Sequence, residues 1–185
     1  MDIQKILDRV KAIIFQPEQE WPVIRTEPIT NKDLVLTYVL PFAVIAAVIG
    51  WLSLWISTFF GFGVALRYGV MQLVMPLIAV VVASVVINEL AETFDSEKNL
   101  NNAFKLVVFS YIPALLANIV ASLAWTLGWV SLFGLYGAYL LWLGFPVMMK
   151  TPENKRLVYI IAAIVIIFIV NLIIGAILSI NRLGY

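Results

Sequence analysis

Five long runs of predominantly apolar residues, near 34–60, 70–90, 104–127, 130–149 and 157–180, constrain this chain more than any other feature. Each has the roughly 20 residues that a helix rising about 1.5 Å per residue needs to cross about 30 Å of hydrocarbon. Composition points the same way. Hydrophobic residues make up 63% of 185 positions and charged residues 12%, against roughly 45–50% and about 25% in soluble domains. A soluble fold lacks the charged residues to cover such an interior, whereas a bundle in lipid is apolar outside as well as inside. The expected fold is all-α: a polytopic integral membrane bundle of five transmembrane helices plus an N-terminal amphipathic helix. The expected division is a cytoplasmic N-terminal region, 1–33, and a transmembrane domain, 34–185.

Ahead of the first run, Ile3, Ile6, Leu7, Val10, Ile13 and Ile14 recur at spacings of three and four, with Asp2, Lys5, Asp8, Arg9 and Lys11 between them. That pattern predicts an amphipathic helix too short and too charged to span. It is expected to lie along the membrane surface, with packing of the same face on the bundle or on a partner as the alternative. The polar stretch from Gln16 to Asp33, broken by Pro17, Pro22 and Pro28, reads as a connector in which Trp21 anchors at headgroup level. No short cleavable signal precedes the first span, which is expected to act as the insertion signal.

Charge placement orients the bundle. Five spans put ten of the twelve Lys and Arg residues on the side of the N-terminus and of the second and fourth loops, leaving Arg67 and Arg182 opposite. All eleven acids fall on the same side as the ten bases. The positive-inside bias therefore predicts a cytoplasmic N-terminus and an outer C-terminus. Trp51, Trp55, Trp125 and Trp129 fall at the opposite end as an aromatic belt, while Trp142, inside the fourth span, reads as a packing residue.

Pro41, Pro76, Pro113 and Pro146 place one proline in each of the first four spans. Each removes an amide donor and crowds the preceding turn, so these positions are expected to kink the helix and to face protein rather than lipid. Small residues four apart (Ala43 and Ala47, Ala79 and Ala83, Ala117 and Ala121, Gly134 and Ala138) allow close helix approach. The Gly134 pair, with Gly137 and Gly144 nearby, is the one expected to pack.

Ionisable residues at membrane depth carry a functional reading by default. One cluster qualifies: Asn88, Glu89 and Glu92 at the end of the second span, with Asn88 and Glu92 one turn apart on one face. It is either a cation- or proton-linked site or a solvated helix end. Negative charge at a helix C-terminus opposes the macrodipole, which calls for a cationic partner, Lys98 or Lys105. Gln72, Ser110, Asn118, Ser122 and Asn171 are neutral and suited to bonds between helices. No catalytic constellation converges at depth, so no enzyme is expected. The chain has no histidine and no cysteine, and no metal or cofactor is expected. A net charge of +1 without a basic stripe gives no expectation of nucleic acid.

Several short motifs occur in order: Phe15-Gln16-Pro17, Glu20-Trp21, Glu27-Pro28, Tyr38-Val39-Leu40-Pro41, Phe104-Lys105-Leu106 and Tyr111-Ile112-Pro113-Ala114-Leu115-Leu116. The most specific is Gly144-Phe145-Pro146-Val147-Met148-Met149-Lys150-Thr151-Pro152. Along nearly its whole length the chain resembles the Yip1 domain family, with Tyr111, Pro113, Gly144, Pro146, Lys150 and Pro152 as the family-like positions. The resemblance implies five spans, a cytoplasmic N-terminus and no catalytic residues. Eukaryotic members are associated with Rab GTPases and vesicle traffic. The Asp-Leu-Tyr-Gly-Pro signature of those members is absent here, and the chain looks like a short prokaryotic member in the plasma membrane.

The expected function is that of a non-enzymatic protein that organises or shapes membrane or recruits partners. The alternative is a small transporter or channel with a cation- or proton-linked site at the cytoplasmic end of the second span. Membrane lipids, with protein partners or further copies of the chain, are the expected partners.

Overall fold

The computed structural model describes residues 3–57 and 61–180, without the side chains of Trp125, Asn171 and residues 173–180. The expectations for Asp2, Trp125, Asn171 and Arg182 lie outside the described residues. All regular elements among the described residues are helical. They are α1 (Ile3–Phe15), α2 (Pro17–Thr26), a short α3 (Asn31–Leu34), α4 (Leu40–Ile56), α5 (Phe62–Leu90), α6 (Leu100–Ala121), α7 (Tyr136–Met148) and α8 (Glu153–Ile180).

Among the described residues four helical segments are long and apolar enough to cross a membrane: Asn31–Ile56, Phe62–Leu90, Leu100–Ala121 and Thr126–Met148. With the exposed apolar residues on their outer faces, they make the chain a multi-pass helical membrane bundle. α6 is its centre, buried over most of its length from Asn102 to Ala117. α4, α5 and α7 pack around α6, and α8 lies against α5 and α7.

The four prolines are accommodated by different devices. A π-helical turn, Val35–Val39, precedes Pro41, and the Leu40 amide bonds back five residues to the Val35 carbonyl. The wider turn accommodates a ring that an α-helical interior would not. α5, α6 and α7 run through Pro76, Pro113 and Pro146 as continuous helices. Pro76 and Pro113 are buried, while Pro41 and Pro146 are half-buried.

The approach to α7 is tighter than an α-helix. Residues Trp125–Leu135 form 3-10 turns before α7 begins at Tyr136. The glycines expected to pack do so, against α6. A Cβ on Gly134 would lie 3.2 Å from Ala114 Cβ, one on Gly137 would lie 2.5 Å from the Ser110 carbonyl oxygen, and one on Gly144 would lie 2.5 Å from Leu106 Cδ1. Leu106, Ser110 and Ala114 are successive turns of one face of α6, so the two backbones run together antiparallel.

At the opposite end, where Arg67 is the charged residue among those described, Trp51 and Trp55 stack with ring centroids 5.6 Å apart, and Phe62 meets both edge-on at 6.0 and 5.8 Å. Trp55 and Trp129 are exposed, as belt residues would be. Nearby, Gln72 Nε2 donates to Ser122 Oγ at 3.0 Å, satisfying a polar group between α5 and α6. Trp142 corrects the packing expectation. It lies at the surface, with the Arg156 guanidinium 4.8 Å above its ring.

Candidate functional site

Most of the candidate residues lie at the charged end, where α1 and α2 sit on the bundle. The stretch from Gln16 is not a plain connector, because α2 occupies Pro17–Thr26. Pro17 opens the helix where its missing amide costs nothing. Glu18 and Glu20 in the first turn and Arg25 in the last complement the helix dipole. Pro17, Trp21 and Ile24, at spacings of four and three, form one buried face.

Trp21 is correspondingly not a headgroup anchor. It is fully buried, with Gly144 and Leu106 against its ring. Burying an indole removes roughly 200 Å² from water, worth about 5 kcal/mol. Exposed ion pairs contribute about 0–1 kcal/mol each. Apolar burial by Trp21 and Ile24 therefore holds α2 in place, and the charges set its register.

Those charges are numerous. Arg25 pairs with Glu97 at 3.1 Å and also donates to the Val147 carbonyl. Lys105, buried on α6, donates to the carbonyls of Arg25 at 3.1 Å and Glu27 at 2.7 Å, which satisfies the end of α2. Arg9 of α1 pairs with Glu20 and, at 2.9 Å, with Glu27. Asn101 donates to the Ile29 carbonyl at 2.9 Å and Asn31 at 2.7 Å, and Tyr136 donates to the Ile14 carbonyl at 2.8 Å.

α1 resolves the choice between surface and packing by dividing its apolar face. Ile6, Val10 and Ile13 are buried in the core. Ile3 and Leu7, on the adjoining strip, remain 66% and 46% exposed, and Phe15 is 79% exposed. Half of the face therefore packs on the bundle, where Arg9 and the buried α2 hold the helix down, and the other half is left exposed. The leftover strip continues that face, with Lys11 beside it on the helical wheel.

Two connectors meet alongside. The Glu97 amide donates to the Met149 carbonyl at 2.7 Å, and Ser96 Oγ to Thr151 Oγ1 at 2.9 Å. Asp95 and Lys150 have positive φ, 51° and 49°, one in each connector. Lys150 pairs with Glu97 at 2.8 Å and Lys155 with Asp95. The hydrogen bond from Lys150, with Arg25 beside it, holds the Glu97 carboxyl below the usual carboxylate range.

Part of the acidic cluster stays together around one cation. Asn88 is buried and donates to Glu89 at 2.9 Å, and Lys98 pairs with Glu89 at 2.8 Å. Lys98 is thus the cationic partner, while Lys105 is committed to α2. α5 ends at Leu90, and Glu92 starts a separate 3-10 turn, exposed, where its charge acts on Lys98 together with that of Glu89. The family-like positions divide as well. Gly144 and Lys150 belong to this end, as does the Pro152 carbonyl, which accepts the Arg156 amide at 3.1 Å. Tyr111 and Pro113 sit deeper on α6. Pro146 lies in the last turns of α7. Among the described residues no group of three or more acids could hold a metal ion.

The segment of chain that builds this end, from α1 through the Gly144–Pro152 motif to α8, is what the comparison with known families recognises. The Yip1 domain matches residues 11–175. The chain belongs to the Yip1 domain family. No curated protein and no solved structure matches it significantly. The match takes in α2, Lys105 and Gly144 together, so docked α2 lies inside the matched Yip1 domain, which α1 enters only from Lys11.

Proposed function

We propose that this Yip1 domain protein is a non-enzymatic membrane scaffold. It crosses the bilayer five times, with α8 as the fifth span and the N-terminus in the cytoplasm, and it holds α1 at the inner surface to organise membrane or recruit partners. α8 runs 28 residues, about 42 Å at helical rise. Its crossing would place the basic ends of α1, α6 and α8 on one side, as the positive-inside bias requires.

The observation that carries the reading is the divided face of α1: Ile13 is buried while Ile3, Leu7 and Phe15 are exposed. A helix fixed to the bundle, with an apolar strip left over at the charged end, meets headgroups or a partner without having to fold on arrival. Glu89 is exposed and paired with Lys98, which gives a transport site no support.

The test is proteoliposome shape and in-cell photocrosslinking from a probe at the exposed position 11, beside the strip, comparing the otherwise native chain with one that also carries Ile3→Gln/Leu7→Gln/Phe15→Gln. The scaffold reading expects altered vesicle curvature or a defined crosslinked partner from the native chain, and loss of either in the triple variant. Identical vesicles and identical crosslinks from both chains would overturn it.

A further inference from the structure

Between α5, α6, α7 and α8 lies a cavity of about 450 Å³, within the size range of small-molecule sites. Ala79 and Ala83 of α5, Tyr111 and Ala114 of α6 and the glycines ahead of and within α7 form its walls. Small side chains leave this space open. Its mouth is on α8: Ile164 and Phe168 line the cavity yet are 47% and 62% exposed, so the opening faces the surroundings of the bundle rather than its ends. In a bilayer those surroundings are hydrocarbon. Beside the unpaired Ser110 hydroxyl the walls offer few polar partners, so water fills little of the cavity favourably, whereas a chain of methylenes recovers the missing contacts along its apolar length.

One turn of α7 separates this cavity from a cation. Ala138 lines the rim, Trp142 lies about 6 Å further along α7 toward the charged end, and Arg156 covers the Trp142 ring. Arg156 Nε is buried without a hydrogen-bond partner. Among the described residues no carboxylate pairs with Arg156, whereas its neighbour Lys155 is held by Asp95. A bare guanidinium in the first turn of the long α8 also opposes the dipole of that helix, and a phosphate there would offset both charges.

We propose that the cavity seats one acyl chain of an anionic phospholipid, drawn from the leaflet at the charged end, with its phosphate on Arg156. The planar guanidinium supplies two parallel donors to phosphate oxygens while its other face stays on Trp142. The choice of an anionic lipid follows from the unpaired cation, and that of a bilayer lipid from the lateral mouth. The site includes none of Ile3, Leu7 and Phe15, so its test is separate from that of the role proposed for α1.

The experiment reconstitutes the full chain in vesicles of equal phosphatidylglycerol and phosphatidylcholine, extracts it in mild detergent and counts retained lipids by native mass spectrometry. The native chain retains one lipid, phosphatidylglycerol favoured about tenfold, the size of one well-placed charged contact. Arg156→Gln keeps a lipid and loses the preference. Ala138→Phe, a change at an exposed rim position, blocks the cavity and loses the lipid while its circular dichroism stays native. No lipid on the native chain, an unchanged preference in Arg156→Gln, or equal retention by all three proteins, as from annular lipid, would overturn the proposal. Because Arg156→Gln leaves the cavity walls intact, its result stands even if Ala138→Phe fails to fold.

Discussion

Gly144 of α7 and Trp21 of α2 share one space: a Cβ on Gly144 would lie 2.8 Å from both Cε2 and Cζ2 of the Trp21 ring. The absence of a side chain at position 144 lets the indole lie flat in the bundle, and the indole in turn carries α2 and the charges around it. Gly144→Ala should therefore loosen α2 and leave the spans intact. Overpacking of this kind costs about 1–3 kcal/mol. Limited proteolysis between α1 and α3 checks it, with faster cleavage expected and unchanged helical content by circular dichroism.

Gly137 is a stricter position than Gly134. A Cβ on Gly137 meets the Ser110 carbonyl oxygen at 2.5 Å, whereas one on Gly134 meets Ala114 Cβ at 3.2 Å. Backbone in a packed helix cannot yield as a methyl group can. Gly137→Ala should lower the melting temperature in detergent clearly, by about 1–3 kcal/mol of stability, and Gly134→Ala by less.

Lys105 terminates α2 from a distance of some eighty residues in sequence, through the carbonyls of Arg25 and Glu27. Methionine keeps its length and removes the donor. Lys105→Met leaves two carbonyls without their partner and should weaken docking of α2 by about 1–3 kcal/mol, read as faster amide exchange from residue 21 to residue 27.

Docking should also depend on acid. Glu97 is held below the usual carboxylate range by the hydrogen bond from Lys150, aided by Arg25. A depressed native pKa means that the contribution is full above the unfolded value, about 4.3, and is lost as pH falls through the lower native value. Protection of the amides around Glu97, measured as exchange relative to an unstructured chain at the same pH, should thus hold steady from pH 7 down to about 4.3 and fall below it. In Glu97→Gln the connector should exchange faster at neutral pH and show a weaker acid response.

Four of the five expected spans were legible because each is a local property: twenty apolar residues need lipid whatever the rest of the chain does. The packing glycines were legible for a similar reason, as small residues on a helix. α2 was missed although Pro17, the acids of its first turn, Arg25 and the spacing of Pro17, Trp21 and Ile24 all marked it; three prolines in the stretch drew the reading toward a connector. The burial of Trp21 could not be read, because the space it fills is made by Gly144, more than a hundred residues away. Lys105 was equally hidden, since an intrahelical lysine near a span end reads as a headgroup residue until the carbonyls it caps are known. The break after Leu90 was not legible either: α5 stops there and Glu92 sits on a separate turn, although its charge still acts on Lys98.

Single cysteines test the central claim most directly, because the native chain has none. Glu92 and Ser131 are both exposed, the first in the α5–α6 connector and the second in the 3-10 turns ahead of α7. An impermeant maleimide applied to sealed vesicles of defined orientation should label Glu92→Cys from the cytoplasmic face and Ser131→Cys from the other. Labelling of both from the same face would contradict a bundle that crosses the bilayer between them.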